Sequence, residues 1–145
     1  MNGLRGIRTL DVRLARQSET SQELAEWLVT QKNVTGVHYP GLKSHPQHKL
    51  AAKQMNYFGS VLSFEVAGGR PAASKLLSAL KLVRPAVTLG GPETLISHSA
   101  SSTHNSVDIE TKTKTGLSDS LLRLSVGLEA CVDIKNDLEN ALKNC

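Results

Sequence analysis

The chain is 145 residues long, 39% hydrophobic and 21% charged, with a net charge of +4. That length suits one domain able to bury roughly two-thirds of the surface its unfolded chain exposes, and the composition is globular rather than disordered. No apolar run approaches the ~20 residues of a membrane span, Arg5 and Arg8 with no apolar stretch behind them do not form a signal peptide, and Cys131 and Cys145 are too few for a disulfide scaffold.

Residues 4–31 read as helix. Leu4, Ile7, Leu10 and Leu14 recur at spacings of three and four, and Leu24, Trp27 and Leu28 repeat the pattern. A straight helix of that length would span about 42 Å, whereas a domain of this size has a radius of gyration near ~15 Å. Either the helix breaks near Ser18–Ser21, or its first half packs on something outside this chain. Arg5, Arg8, Arg13 and Arg16 face only Asp11 in residues 1–16, so +3 of the net charge sits there. Charge confined to one segment, without interleaved aromatics, reads as a solvated or partner-facing helix side and not as a nucleic-acid surface.

Val34–Tyr39 is a short strand ending at the turn Pro40-Gly41. Ser44-His45-Pro46 starts a helix that runs to about Met55. Ser60–Ala67 alternates, with Leu62, Phe64 and Val66 on one face and Val61, Ser63 and Glu65 on the other. Gly68-Gly69 ends it. Arg70–Leu80 is a helix with Ala73, Leu76, Leu77 and Leu80 on one side. Leu82–Leu89 and Glu93–Ile96 read as strands around Gly90-Gly91, and the hydroxyl-rich Ser97–Ser106 reads as a loop. Leu121–Val126 is a strand whose Leu122, Leu124 and Val126 oppose Leu121, Arg123 and Ser125. Ala130–Lys143 closes as a helix with Cys131, Ile134, Leu138 and Leu142 in register. Because helices and strands are not strictly interleaved, the expected class is α+β, an α/β sandwich with a mostly antiparallel sheet covered by helices. With aromatics at 3%, aliphatic side chains must fill the core.

Arg123 is the most informative residue. A guanidinium inside an apolar strand needs an anionic partner, and its fork suits a carboxylate. That partner is either a local Asp or Glu or a ligand. Thr88-Leu89-Gly90-Gly91 follows a strand and allows a sharp turn or a close ligand approach, but it is no dinucleotide fingerprint. His45 and His48 share a helical turn without a third ligand close in sequence, which is short of a zinc site. Ser97–Asp108 offers Ser, His98, His104 and Asp without a nucleophile-elbow pattern. Cys131 reads as a small buried hydrophobe.

Arg8-Thr9-Leu10 with Arg13, then His38-Tyr39-Pro40-Gly41-Leu42, then Ser44-His45-Pro46-Gln47-His48 resemble the start of the small C-terminal domain of the Cys/Met-metabolism enzymes that depend on pyridoxal phosphate (PLP). These include cystathionine γ-synthase, cystathionine β- and γ-lyases and methionine γ-lyase. Val87 to Ile96 is similar to the family's SLGG-x-ESL segment, and His98 to His104 to its HPASMTH segment. Leu122-Arg123-Leu124-Ser125-Val126-Gly127-Leu128-Glu129 resembles its closing motif.

The resemblance implies a fold-type I small domain over 1–145, with residues 1–31 as the leading interdomain helix. It implies substrate-binding residues Arg123, Thr88, Leu89 and Val87, with Arg123 on the α-carboxylate. Val87, apolar where the cystathionine enzymes often carry an acidic or aromatic residue, favours a thioether tail. Pro92, Ser99 and Ser102 depart from the commonest family residues. No catalytic, cofactor-binding or metal-binding residue is expected in this chain, because the Schiff-base lysine and the PLP seat belong to a large domain upstream. The expected partners are that domain or a full-length homologue and a small sulfur amino acid. Membrane and nucleic acid are not expected partners. The family resemblance implies a homotetramer, and the cysteine usage a reducing, cytoplasmic setting. The expected function is a PLP-dependent carbon–sulfur lyase or γ-replacement enzyme, the alternative being a stand-alone amino-acid-binding or regulatory domain.

Overall fold

The structure, a computed structural model, describes residues 6–98 and 118–145. In these residues the elements are α1 (Leu10–Val29), β1 (Val34–His38), α2 (His48–Gln54), β2 (Val61–Val66), α3 (Gly69–Ala79), β3 (Arg84–Pro85), β4 (Leu95–His98), β5 (Leu121–Ser125) and α4 (Cys131–Leu142). The strands form one sheet in the order β1-β2-β5-β4-β3. It is antiparallel except where β3 runs parallel to β4. The class is α+β, as the order of elements implies.

Period-two alternation gives β2 and β5 two unlike faces. Leu62, Phe64 and Val66 and, opposite them, Leu122 and Leu124 are buried. They join Leu24, Leu28, Leu76, Ile134 and Leu138 from three helices in one largely aliphatic core. Tyr39 and Phe64 are its fully buried aromatics. The other face carries a polar row: His38 pairs with Ser63, Ser63 with Arg123, and Arg123 with Ser97. Directly paired residues point the same way, so these four side chains share one sheet face.

One open choice is decided and several elements differ from their sequence reading. Of the two readings of α1, the break near Ser18–Ser21 is not the one found. The hydroxyls there are absorbed locally instead: Ser21 Oγ donates to the Gln17 carbonyl at 2.8 Å, and Ser18 Oγ lies 3.5 Å from the buried Tyr39 hydroxyl. The helix ends at Val29, and its first turns expose Ile7, Leu10 and Val12 on or just before it. Leu4 lies outside the described residues. α2 starts at His48, since Leu42 to His48 form successive turns. The strand expected over 82–89 shrinks to Arg84–Pro85. The carboxylate of Asp137 accepts the backbone N–H groups of Lys81, Leu82 and Val83 at 2.8–2.9 Å and holds that approach as a loop. β4 runs two residues beyond Ile96, so Ser97 and His98 are strand and not loop. Residues 99–106 of that loop lie outside the described residues.

Cys131 is buried at the start of α4. Desolvation, then the Glu23 carboxylate beside it, pushes its thiol from 9.0 up to about 11. Lys135 holds Glu23 as the anion through a 2.6 Å ion pair and lowers its pKa. The folded thiol ionises later than the unfolded one, so its contribution to stability is intact below about pH 9 and is lost as pH rises from 9 to 11. Native Cys131 should react with iodoacetamide at pH 8 about a hundredfold more slowly than the unfolded chain. Equal rates would contradict this burial.

Candidate functional site

The site is assembled on the polar face of β5. Arg123 sits in the middle of that strand, flanked by β2 and β4, partly buried and opposite the apolar core side. Its Nη2 donates to the Val87 carbonyl at 2.8 Å, across 36 positions of chain. Its Nε is buried without a hydrogen-bond partner. No Asp or Glu among the described residues pairs with it. Glu65, the acid on the adjacent strand, is taken up by His38 Nε2 at 2.9 Å. Of the two partners that a strand arginine could have, a local carboxylate is not found among the described residues. No anion among the described residues satisfies the remaining guanidinium donors.

Val87, Thr88 and Leu89 form a loop after β3 beside Arg123. Their side chains are exposed, Val87 by 62% and Leu89 by 51%. The loop's backbone is nevertheless held at three points. Val87 O accepts from Arg123. Gly90 N–H donates to Ser125 Oγ at 2.9 Å. Gln17 Nε2, from α1, donates to Gly91 O at 2.8 Å. Gly90 has φ +82°, a left-handed conformation that glycine adopts without steric cost. Three of the four substrate-binding residues expected from sequence are thus adjacent on one loop, and Val87 meets the fourth through its backbone.

Beyond the loop, Thr94 is fully buried and ties its two ends to the segment after β5. Its N–H and Oγ both donate to the Glu129 carboxylate, at 2.8 and 2.6 Å, and its Oγ accepts from Gly127 N–H at 2.9 Å. Leu128 N–H donates to Pro92 O at 2.7 Å. Sequence reasoning missed this clasp and missed Gln17. Gly127 and Glu129 lie in the closing motif, but nothing local marks Gln17, whose partner is 74 residues away.

His45 and His48 are not drawn into this site. His48 Nδ1 bonds to the Pro40 carbonyl at 2.8 Å and the ring lies against Phe58, while His45 Nδ1 accepts the Gln47 N–H at 3.2 Å. Among the described residues no three His, Cys, Asp or Glu side chains converge as a metal site. His98 Nε2 donates to the Asp119 carbonyl at 2.8 Å. His104 and Asp108 lie outside the described residues. Among the described residues, no helix is long and apolar enough to cross a membrane.

The described residues form a five-stranded α+β domain in which Arg123, anchored on the Val87 carbonyl, pairs with no carboxylate among them. Comparison with known proteins gives the family. The family described as Cys/Met metabolism PLP-dependent enzyme matches residues 2–143. The chain is 45% identical over 139 residues to a cystathionine beta-lyase of Coxiella burnetii, covering 96% of this chain and 36% of that protein. It is likewise 45% identical over 140 residues to an L-methionine gamma-lyase of Pseudomonas putida, covering 97% of this chain and 35% of that one. Among solved structures, cystathionine gamma synthase from Xanthomonas oryzae pv. oryzae in complex with cystathionine superposes with a TM-score of 0.93 at 43% identity, covering 97% of this chain and 36% of that chain. The chain belongs to the Cys/Met-metabolism family of PLP-dependent, fold-type I enzymes of sulfur amino-acid metabolism, and it spans about a third of the length of these relatives.

The described residues do not fit PLP as a seat. Every described lysine is exposed except Lys135, which lies on α4 and is paired with Glu23 of α1. A Schiff-base lysine needs a desolvated position, and no described lysine offers one beside the arginine. What the site does fit is a carboxylate, by charge and by fork geometry.

Proposed function

We propose that this chain is the small C-terminal domain, residues 1–145, of a PLP-dependent carbon–sulfur lyase or γ-replacement enzyme, and that it clamps the substrate's α-carboxylate. In that reading residues 1–31 lead from a large PLP-binding domain. The exposed Ile7, Leu10 and Val12 support a docking role for that helix, since apolar side chains on one helix end gain by being covered.

The single observation that carries the reading is Arg123. It is anchored by a carbonyl and free of any carboxylate of its own among the described residues. Its terminal N–H groups grip the α-carboxylate and fix the amino acid in register. Thr88 supplies a hydroxyl to the same end of the substrate and Leu89 borders it. The exposed side chain of Val87 offers an apolar wall to the substrate's tail, where an ammonium would be left unpaired. That favours methionine or a related thioether amino acid. PLP, held elsewhere, supplies the electron sink. This chain supplies orientation, which is worth several kcal/mol when reacting groups are held in line.

The test is titration of the purified chain with PLP, read by absorbance and by borohydride trapping. The expected result is weak, scattered labelling of exposed lysines. A saturable one-to-one adduct on a single lysine would show that the chain seats the cofactor itself, and the proposed division of labour would be wrong. A second arm adds L-methionine to the ¹⁵N-labelled chain. The Arg123 side-chain Nε–H resonance should move, and L-methionine methyl ester, which lacks the carboxylate, should leave it in place.

A further inference from the structure

We propose that Ser125 is a positioning residue that sets Arg123 and the Val87–Gly90 loop at a fixed separation, an inference that rests on the carboxylate-clamping reading above. Arg123 and Ser125 are two apart on β5, so both point to the open side of the sheet, about 7 Å apart along the strand. Each holds one end of the same short loop. Arg123 Nη2 donates to Val87 O at 2.8 Å, and Ser125 Oγ accepts Gly90 N–H at 2.9 Å. Between the two pins lie only Thr88 and Leu89, which make no side-chain hydrogen bond of their own among the described residues. Their placement over the guanidinium is therefore inherited from the pins.

Burial strengthens this assignment. Ser125 is 1% exposed, so its hydroxyl is shielded from substrate, and among the described residues it bonds only Gly90. In a dry setting a serine–amide bond is not traded for water, and its loss leaves a buried donor unpaired. The third tie, Gln17 to Gly91 O, enters from α1 and stops the loop from sliding along the strand. Freed at Gly90, the loop would pivot on Val87, and the carbonyl that orients Arg123 would move with it. Ser125 thereby acts on the arginine through the loop without touching substrate.

The test reads two resonances of the ¹⁵N-labelled whole chain, the Gly90 amide and the Arg123 side-chain Nε–H. In Ser125→Ala the Gly90 amide should lose exchange protection. The Arg123 Nε–H should shift although Arg123 is unaltered, and the L-methionine midpoint should rise about tenfold, the effect of one hydrogen bond. Ser125→Thr, which keeps the acceptor, should restore all three. A merely structural serine would lower thermal stability and leave the Arg123 resonance where it was, and that result overturns the inference. Should Ser125→Ala fail to fold, Gln17→Leu releases the loop from its other side and must shift the same two resonances. Unmoved resonances there overturn the inference as well. Failure of the clamping reading looks different: L-methionine then leaves the Arg123 Nε–H of the parent chain unmoved, while the Ser125→Ala shift without ligand still reports on positioning.

Discussion

Gly127→Ala is expected to destabilise the domain by about 3 kcal/mol, at the upper end of overpacking effects. A Cβ at residue 127 would collide with the Pro92 carbonyl oxygen, the Glu129 carboxylate and the backbone of Glu93. Two of these are backbone atoms and cannot rotate away. The third is fixed by its two bonds to Thr94. The clash would also pull Gly127 N–H off Thr94 Oγ, leaving a buried group of the clasp unsatisfied. Gly127 has no positive φ, so the cost is steric and not conformational. Thermal unfolding of the variant should shift down by roughly 10 °C for a domain of this size. A midpoint within ~2 °C of the parent would mean that the 92–94 and 125–129 segments are not packed as described.

Arg123→Lys is expected to reduce kcat/KM for an amino-acid substrate by about a hundredfold in the PLP-loaded enzyme that contains this chain, on the proposed role. Lysine keeps the charge but loses the planar fork. It also loses the Nη2 bond that fixes the guanidinium against Val87 O. A charge-assisted pair to a carboxylate is worth about 1.5–3 kcal/mol, and each ~1.4 kcal/mol is a tenfold change in rate. Arg123→Ala should cost more, because nothing then answers the carboxylate. Steady-state kinetics with methionine and with an analogue lacking the carboxylate decides the matter. The analogue should turn over equally poorly in parent and variant. A kcat/KM for methionine that stays within ~3-fold of the parent would remove Arg123 from substrate binding.

The core was legible because its signal is local. In β2 and β5 the alternation Leu62, Phe64, Val66 and Leu122, Leu124 names the buried face directly. In α4 the spacing of Ile134 and Leu138 does the same. Where local signal and tertiary demand diverge, the reading stays open or slips. The hydroxyls at Ser18 and Ser21 leave a helix break as one of two options, and the structure excludes it: one bonds back to its own helix and the other meets Tyr39. The apolar run at 82–89 looks like a strand, yet Asp137 binds its first amides and the site loop takes its last residues.

Local patterning settles most of the elements, the α+β class and the presence of an arginine on the polar side of an apolar strand, and the motifs carry the resemblance to a PLP-dependent family. These properties repeat every two or three to four residues, so short stretches of chain suffice to express them. Tertiary packing alone makes Arg123 meet the Val87 carbonyl and no acid of its own among the described residues. It also decides that Ser125 and Gln17 pin the loop between them, and that Gly127 must lack a side chain. Those facts join residues 33 to 74 positions apart, and no periodicity records which two distant segments will share a surface.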